Sequence, residues 1–130
     1  ALEALHDSLC SHLDSLRHLR GKLSLAVGSS AAARTLCRVF GCEYGAESML
    51  SRYQVRSFTR ELSSLTSEQT AQIPGIEESR ADIVLAGSLL LHGFLDFLEI
   101  PSVRASRYSL RHGLLSEAYE EFLKTSGDYE

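Results

Sequence analysis

Hydrophobic positions recur along this chain with two periods, which separate helix-like segments from strand-like ones. Leucines follow one another every three or four residues at the start of the chain: Leu2, Leu5, Leu9, Leu13, Leu16 and Leu19. This spacing predicts an amphipathic helix, and Gly21 stands where a helix commonly ends. The alternation of Leu23, Leu25 and Val27 then predicts a strand over residues 22–27.

The next segments alternate between regular and irregular patterns. Residues 31–40 carry apolar side chains on one helical face and are followed by Gly41, which predicts a second helix. Residues 42–54 have no regular period and are predicted to be mostly loop. Residues 57–64 regain the helical period and predict a third helix.

Two capping signals mark further helix starts. Thr66 and Gln69 have the spacing of a capping box, in which each side chain accepts from the other residue's amide. The short helix that they begin must end before Pro74, because the residue before a proline avoids helical angles. Residues 79–82 have the same spacing and are predicted to begin a long helix that reaches about Leu98.

This long predicted helix is apolar almost all the way round, which is typical of a central helix covered on several sides. Its uncharged stretch covers residues 83–95 and is bounded by Asp82 and Asp96. A membrane-spanning helix needs about 20 apolar residues. The stretch is too short for that, so the sequence predicts a buried core helix.

The last third of the chain predicts a second strand over residues 102–106 and a final helix over residues 109–125. The inward side chains of this helix are predicted to be Leu115, Ala118, Tyr119 and Phe122. Residues 126–130 are polar and are expected to form a frayed tail. Strands that alternate with helices predict a parallel sheet. Two strands do not make a stable sheet, so the remaining strands lie either within residues 42–54 or outside this chain.

Composition and charge narrow the classes of function. The chain has 130 residues, about one domain, and a formal net charge of −4. This balance argues against nucleic acid or an anionic membrane as the main partner, because both attract excess positive charge. An odd set of three cysteines fits a reduced, cytoplasmic protein better than a disulfide framework. The sequence shows no complete set of metal ligands with zinc-site spacing.

The first candidate site is the turn that joins the first strand to the second helix. Gly28 lets the backbone approach an anion closely, and Ser29 and Ser30 add hydroxyl donors beside the free amides of a helix start. The simpler interpretation is a turn in which Ser29 or Ser30 caps the helix. The turn is neither a P-loop nor a dinucleotide-binding motif, so spacing alone favours the capping interpretation.

Arginines supply the second candidate. Arg80, at the start of the long helix, suits a bound phosphate. Alternatively, it forms a surface ion pair with a neighbouring carboxylate of Glu77, Glu78 or Asp82. Three more arginines flank the junction of the last strand and helix, where they form either an anion-binding patch or ion pairs: Arg104, Arg107 and Arg111.

Three blocks of the sequence follow one another in an order that resembles a known family. Residues 73–76 read Ile-Pro-Gly-Ile, residues 80–87 read Arg-Ala-Asp-Ile-Val-Leu-Ala-Gly, and residues 110–115 read Leu-Arg-His-Gly-Leu-Leu. Over residues 22–115 the chain is similar to the C-terminal half of the second domain in the exopolyphosphatase/guanosine pentaphosphate phosphatase (Ppx/GppA) family. The block with Pro-Gly-Ile, Arg-Ala-Asp and Ala-Gly is the most specific of the three.

The chain also departs from the family pattern. Residues 28–32 read Gly-Ser-Ser-Ala-Ala in place of a turn like Gly-Thr-Gly-Gly-Thr. In the block near the end, Arg107 replaces an aspartate, Ser109 a glycine and His112 a glutamate. These changes affect the phosphate or nucleotide contacts that the resemblance implies. They leave open a divergent member that acts as a non-catalytic interaction or regulatory module.

The resemblance implies a helix-rich α/β fold of the ribonuclease-H-like, actin/sugar-kinase/Hsp70 type. Residues 1–125 would be the C-terminal portion of the second domain, and the first three strands of that domain would precede Ala1. The sheet expected in this chain is therefore incomplete. A small all-helical binding domain is a weaker alternative.

The resemblance further implies an acid anhydride hydrolase that cleaves terminal phosphates from inorganic polyphosphate or guanosine pentaphosphate. Its catalytic glutamate and most Mg²⁺ contacts would lie outside this chain, so no catalytic residue is assigned here. The phosphate or nucleotide contacts would be Gly28, Ser29, Ser30 and Arg80, whereas Arg111 is interpreted as structural. The implied partners are the N-terminal part of the same protein and a second copy of the chain in a homodimer.

Overall fold

The computed structural model describes residues 2–42 and 49–126. The helices in this part are α1 (Leu2–Leu13), α2 (Ala31–Val39), α3 (Arg52–Ser63), α4 (Ser67–Ala71), α5 (Ala81–Phe97) and α6 (Leu110–Ser126). The strands are β1 (Ala26–Gly28), β2 (Met49–Ser51) and β3 (Ser102–Ala105). Two 3-10 turns, Asp14–Leu19 and Glu78–Arg80, follow α1 and precede α5.

The three strands form one sheet in the order β1-β3-β2. β1 and β3 run parallel, with Val27 opposite Arg104, which confirms the predicted parallel pair and rules out the all-helical alternative. β2 runs antiparallel to β3, with Leu50 opposite Val103. Residues 49–51 lie in the stretch predicted to be mostly loop, and they form one of the strands that the sequence allowed within residues 42–54. A three-residue strand is too short to show a period and forms here by pairing with β3.

Helix α5 lies at the centre of the described fold and packs against α1, α2, α3 and α4. The buried core beside it includes Leu36 of α2, Val55 of α3 and Leu95 of α5. The predicted central helix is thereby confirmed. Its apolar surface is not covered everywhere, because Ile83 is 59% exposed and Leu90 is 47% exposed. In the described residues, no helix is long and apolar enough to span a membrane.

Two capping boxes start helices α3 and α4. The Thr66 hydroxyl accepts from the Gln69 amide at 3.2 Å, and the Gln69 carbonyl oxygen accepts from the Thr66 amide at 2.9 Å, which confirms that prediction. The Ser51 hydroxyl likewise accepts from the Gln54 amide, at 3.1 Å. α3 therefore begins at Arg52, several residues before the predicted start at residue 57.

The capping box predicted at residues 79–82 is wrong. The Arg80 amide donates to the Glu77 carbonyl at 2.8 Å, so residues 78–80 form a 3-10 turn. Arg80 takes the N-cap position of α5 without a side-chain cap. The 3-10 turn makes Arg80, and not Ser79, the residue that precedes the helix, so the long helix begins only at Ala81.

Helix α6 contributes no buried residue to the described fold. Leu115 is 71% exposed, and Tyr119 and Phe122 are each 62% exposed. The prediction that these side chains face inward is wrong for the described residues. Helical period identifies an apolar face, but not whether another element covers it. Ser126 ends α6, and the rest of the predicted frayed tail, residues 127–130, lies outside the described residues.

The contact between α1 and α5 contains a partly buried histidine. His92 of α5 has its Nε2 atom buried without a hydrogen-bond partner among the described residues. Desolvation lowers the pKa of His92. The carboxylate of Asp96 opposes the shift, whereas Arg56 and Arg52 of α3 and His6 of α1 favour it. Protonated His92 is therefore disfavoured in the folded protein.

We expect the free energy of unfolding to fall as the pH drops below about 6.5, the ordinary pKa of histidine. The unfolded chain then binds a proton that the folded chain resists. The loss cannot exceed about 1.4 kcal/mol per pH unit for one proton. Urea unfolding between pH 8 and 5 measures it. His92→Gln should flatten the profile, whereas His12→Gln, at an exposed position on α1, should not. Equal profiles for the two variants would contradict this role.

Candidate anion-binding site

The turn from β1 to α2 is built for close packing and capping. The Ala33 amide donates to the Ser30 hydroxyl at 3.4 Å, so Ser30 caps α2, as the simpler interpretation predicted. A Cβ atom at Gly28 would lie 2.5 Å from the Cβ atom of Ala33. Glycine at this position thus lets the end of β1 meet the first turn of α2.

The Pro-Gly-Ile segment packs against the other end of α2. Gly75 has a φ of +96°, a backbone conformation that other residues rarely adopt. A Cβ atom at Gly75 would lie 3.0 Å from the Val39 nitrogen and 3.1 Å from the Arg38 carbonyl carbon. This close approach brings the next charged residue of the segment, Glu77, beside the last turn of α2.

Glu77 joins two arginines from different elements. Arg38 Nη1 donates to Glu77 Oε1 at 2.8 Å, and Arg80 Nε donates to Glu77 Oε2 at 3.2 Å. The hydrogen bond from Arg38, and then that from Arg80, lowers the pKa of Glu77. Arg80 therefore forms one of the ion pairs that the sequence proposed as the alternative to phosphate binding.

An open cleft of about 490 Å³ surrounds this ion pair. Among the described residues, the cleft is lined by one alanine at the start of α2, one carboxylate and five arginines. These residues are Ala31, Glu77, Arg34, Arg38, Arg80, Arg107 and Arg111. The cleft is strongly positive although the chain has a formal net charge of −4. Clustered guanidinium groups attract anions and suit planar, bidentate binding of phosphate or carboxylate oxygens.

A smaller cavity of about 220 Å³ adjoins the cleft between α2 and α5, and Ser30 and Arg80 both line it. Gly87 of α5 makes this approach of the helices possible, because a Cβ atom there would lie 2.8 Å from the Cβ atom of Ala32. Arg80 lines both spaces and connects them.

The predicted contact residues divide into two groups. Ser30 and Arg80 lie together, whereas Gly28 and Ser29 are not among the residues that line either space. The predicted role of these four residues in phosphate binding stays a prediction. The lack of a Cβ atom at Gly28 has a packing reason as well, since it leaves room for Ala33.

The arginines near the last helix also divide. Arg107 and Arg111 line the cleft, whereas Arg104 lies in β3 opposite Val27 and Met49. Sequence reasoning missed the two arginines of α2, Arg34 and Arg38. A signal was available, since residues four apart lie on the same helical face.

The cleft residues carry charge but do not themselves provide the usual parts of a hydrolytic centre. Glu77 is held by two guanidinium groups and has a lowered pKa, which makes it a weak base. Within residues 2–42 and 49–126, no group of three or more His, Cys, Asp or Glu side chains could hold a metal ion. In the cleft itself, the Glu77 carboxylate is already bound by two arginines and is not free to hold Mg²⁺.

Family comparison agrees with this fold. A sequence model of the Ppx/GppA phosphatase family matches residues 2–122, so the chain belongs to that family. One curated relative, exopolyphosphatase 1 of Mycobacterium leprae (strain TN), is 30% identical over 100 residues. The match covers 73% of this chain and 30% of that relative. The chain thus corresponds to less than a third of the length of this relative.

Solved structures show the same fold. A Ppx/GppA phosphatase of Aquifex aeolicus, in its type II variant, matches with a TM-score of 0.71 and 20% identity, over 87% of this chain and 39% of that chain. An exopolyphosphatase of Cytophaga hutchinsonii ATCC 33406 matches with a TM-score of 0.66 and 20% identity, over 92% and 43% of the two chains. The predicted family and fold class are confirmed.

Proposed function

We propose that this chain is the phosphate-binding part of a hydrolase that removes terminal phosphates from inorganic polyphosphate or guanosine pentaphosphate. The observation that carries the proposal is the convergence of five arginines on one cleft. Phosphoryl transfer depends mainly on positioning and on neutralisation of the phosphate charge. Guanidinium groups supply positioning through their directed hydrogen bonds and charge neutralisation through their positive charge.

In this proposal, the work is divided between two parts of the protein. The cleft holds the phosphate chain through Arg80 and the surrounding arginines, and Ser30 adds a hydroxyl group in the adjoining smaller cavity. In the same proposal, another domain of the protein supplies the carboxylate that activates water and the ligands of Mg²⁺. The exposed apolar face of α6 supports packing against further polypeptide, either that domain or a second copy. The free cysteines support the cytoplasmic setting that the sequence predicts.

Phosphate release tests the proposed activity. We expect the complete reading frame that contains this chain to release phosphate from polyphosphate or guanosine pentaphosphate in the presence of Mg²⁺. We expect the 130-residue chain to release none, because the parts that activate water are assigned elsewhere. Hydrolysis by the chain alone would contradict this division.

A second candidate is a non-catalytic interaction module. It is favoured by the broad apolar surface of α6 together with the Gly-Ser-Ser-Ala-Ala turn at residues 28–32. Under this alternative, neither the complete reading frame nor the 130-residue chain hydrolyses polyphosphate or guanosine pentaphosphate. Neither of them binds a phosphate chain in the cleft. If the protein binds tripolyphosphate but does not hydrolyse it, the cleft would act as a sensor of anions.

A further inference from the structure

We propose that Glu77 is an affinity-determining residue of the arginine cleft, an internal anion that occupies the position between Arg38 and Arg80 until the ligand displaces it. The inference rests on the proposed function, because it assigns the cleft to a phosphate chain. It adds that the free protein already carries a substitute for one phosphate group.

The geometry of the carboxylate supports this substitution. Each Glu77 oxygen accepts from a different arginine, Oε1 from Arg38 at 2.8 Å and Oε2 from Arg80 at 3.2 Å. A phosphate group presents its oxygens to guanidinium donors in the same manner, with more negative charge and an additional oxygen. The two arginines are therefore already arranged for an anion, but their donors are partly engaged.

Exposure makes the exchange easy. The Glu77 side chain is 51% exposed, and the side chains of Arg38 and Arg80 are 40% and 38% exposed. Ion pairs at this exposure contribute little to folding, since water screens them. Displacement of the carboxylate therefore lowers the free energy of unfolding only slightly, and water readily solvates the released carboxylate.

The backbone of this segment stays in place during such an exchange. Gly75 fits closely against the end of α2, and the Glu77 carbonyl accepts from the Arg80 amide at 2.8 Å. Only rotation of the Glu77 side chain is needed. The main chain continues to hold Arg80 at the cleft while its guanidinium changes partner.

This competition sets a threshold for binding. An anion that contacts only Arg38 and Arg80 replaces one pair of charged hydrogen bonds with another and gains little. A phosphate chain that also reaches Arg34 or Arg111 adds contacts that Glu77 does not make. The carboxylate thus restricts occupancy of the cleft to anions that bind several arginines.

Calorimetric titration with tripolyphosphate tests the inference on the complete reading frame that contains this chain. We expect Glu77→Gln to tighten binding by about three- to tenfold, since the amide keeps the size of the side chain but removes the competing charge. Glu78→Gln removes the same charge from the adjacent exposed position, which does not line the cleft. We expect this control to change affinity less than twofold, and thermal melting verifies that both variants fold.

The outcomes separate the inference from the proposed function. If the Glu77→Gln variant binds tripolyphosphate more tightly and the Glu78→Gln variant does not, the result supports displacement of the Glu77 carboxylate by the ligand. Unchanged or weaker binding by Glu77→Gln, in a protein that binds tripolyphosphate, overturns the inference and leaves the proposed function standing. Equal gains in both variants also overturn it, because they would reflect net charge alone. Absence of binding in the natural protein and both variants overturns the inference and the proposed function together.

Discussion

Replacing Arg80 with alanine will weaken the binding of tripolyphosphate by about ten- to a hundredfold. Arg80 lines both the arginine cleft and the adjoining smaller cavity, so its loss affects a ligand in either space. Hydrogen bonds to charged groups contribute about 1.5 to 3 kcal/mol, which corresponds to this change in the dissociation constant. Titration at low ionic strength measures the effect, because salt screens exposed charges.

The matched control is Arg60→Ala. Arg60 is an exposed arginine of α3 that does not line the cleft, so its replacement removes the same charge from a distant surface. We expect less than a twofold change for this variant. Arg80→Lys should recover only part of the affinity, since an ammonium group lacks the planar, bidentate donor arrangement. If Arg80→Ala and Arg60→Ala weaken binding equally, the assignment of Arg80 to the site fails.

Gly75→Ala will have the largest effect on folding. The φ of +96° is strained for any residue with a Cβ atom. The new atom would also lie 3.0 Å from backbone at the end of α2, which cannot move aside as a side chain can. Strain of this kind and overpacking each cost about 1 to 3 kcal/mol. We therefore expect the free energy of unfolding to fall by about 2 to 4 kcal/mol, as measured by urea denaturation.

Gly113→Ala provides the comparison. Gly113 lies within α6, and no atom is found within 4 Å of the position of its Cβ. Alanine favours a helix over glycine by about 0.5 to 1 kcal/mol, so this variant should be as stable as the natural protein or slightly more so. Equal losses of stability in the two variants would show that the fit of Gly75 against α2 is unimportant.

Local sequence signals predicted the helices well where all the interacting residues lie within one helix. The predicted bounds of α2 lie within one residue of the observed ones, and so does the predicted end of α5. The capping box of Thr66 and Gln69 formed as predicted, since both partners lie in the same helical turn. The equivalent box of Ser51 and Gln54 was overlooked because it lies in a stretch without regular period.

Other predictions failed where a longer-range contact decided the outcome. The box at residues 79–82 did not form, because the preceding turn packs against α2 and leads directly into α5. The apolar side chains of α6 were predicted to be inward, yet they are exposed in the described residues. Whether such a face is covered depends on a partner element, which the helix's own period does not specify.

The amino-acid sequence by itself determined the local features of this protein: the helical and strand periods, the Thr66 cap, and the motifs that resemble the Ppx/GppA family. Each of these depends on residues within a few positions of one another. Only the tertiary structure decided where the cleft forms and which residues line it. Its arginines come from α2, from the start of α5, from α6 and from the segment just before α6. Arg34 and Arg38 meet Arg80 because α2 packs closely on Gly75 and Gly87, a contact between segments far apart in the chain.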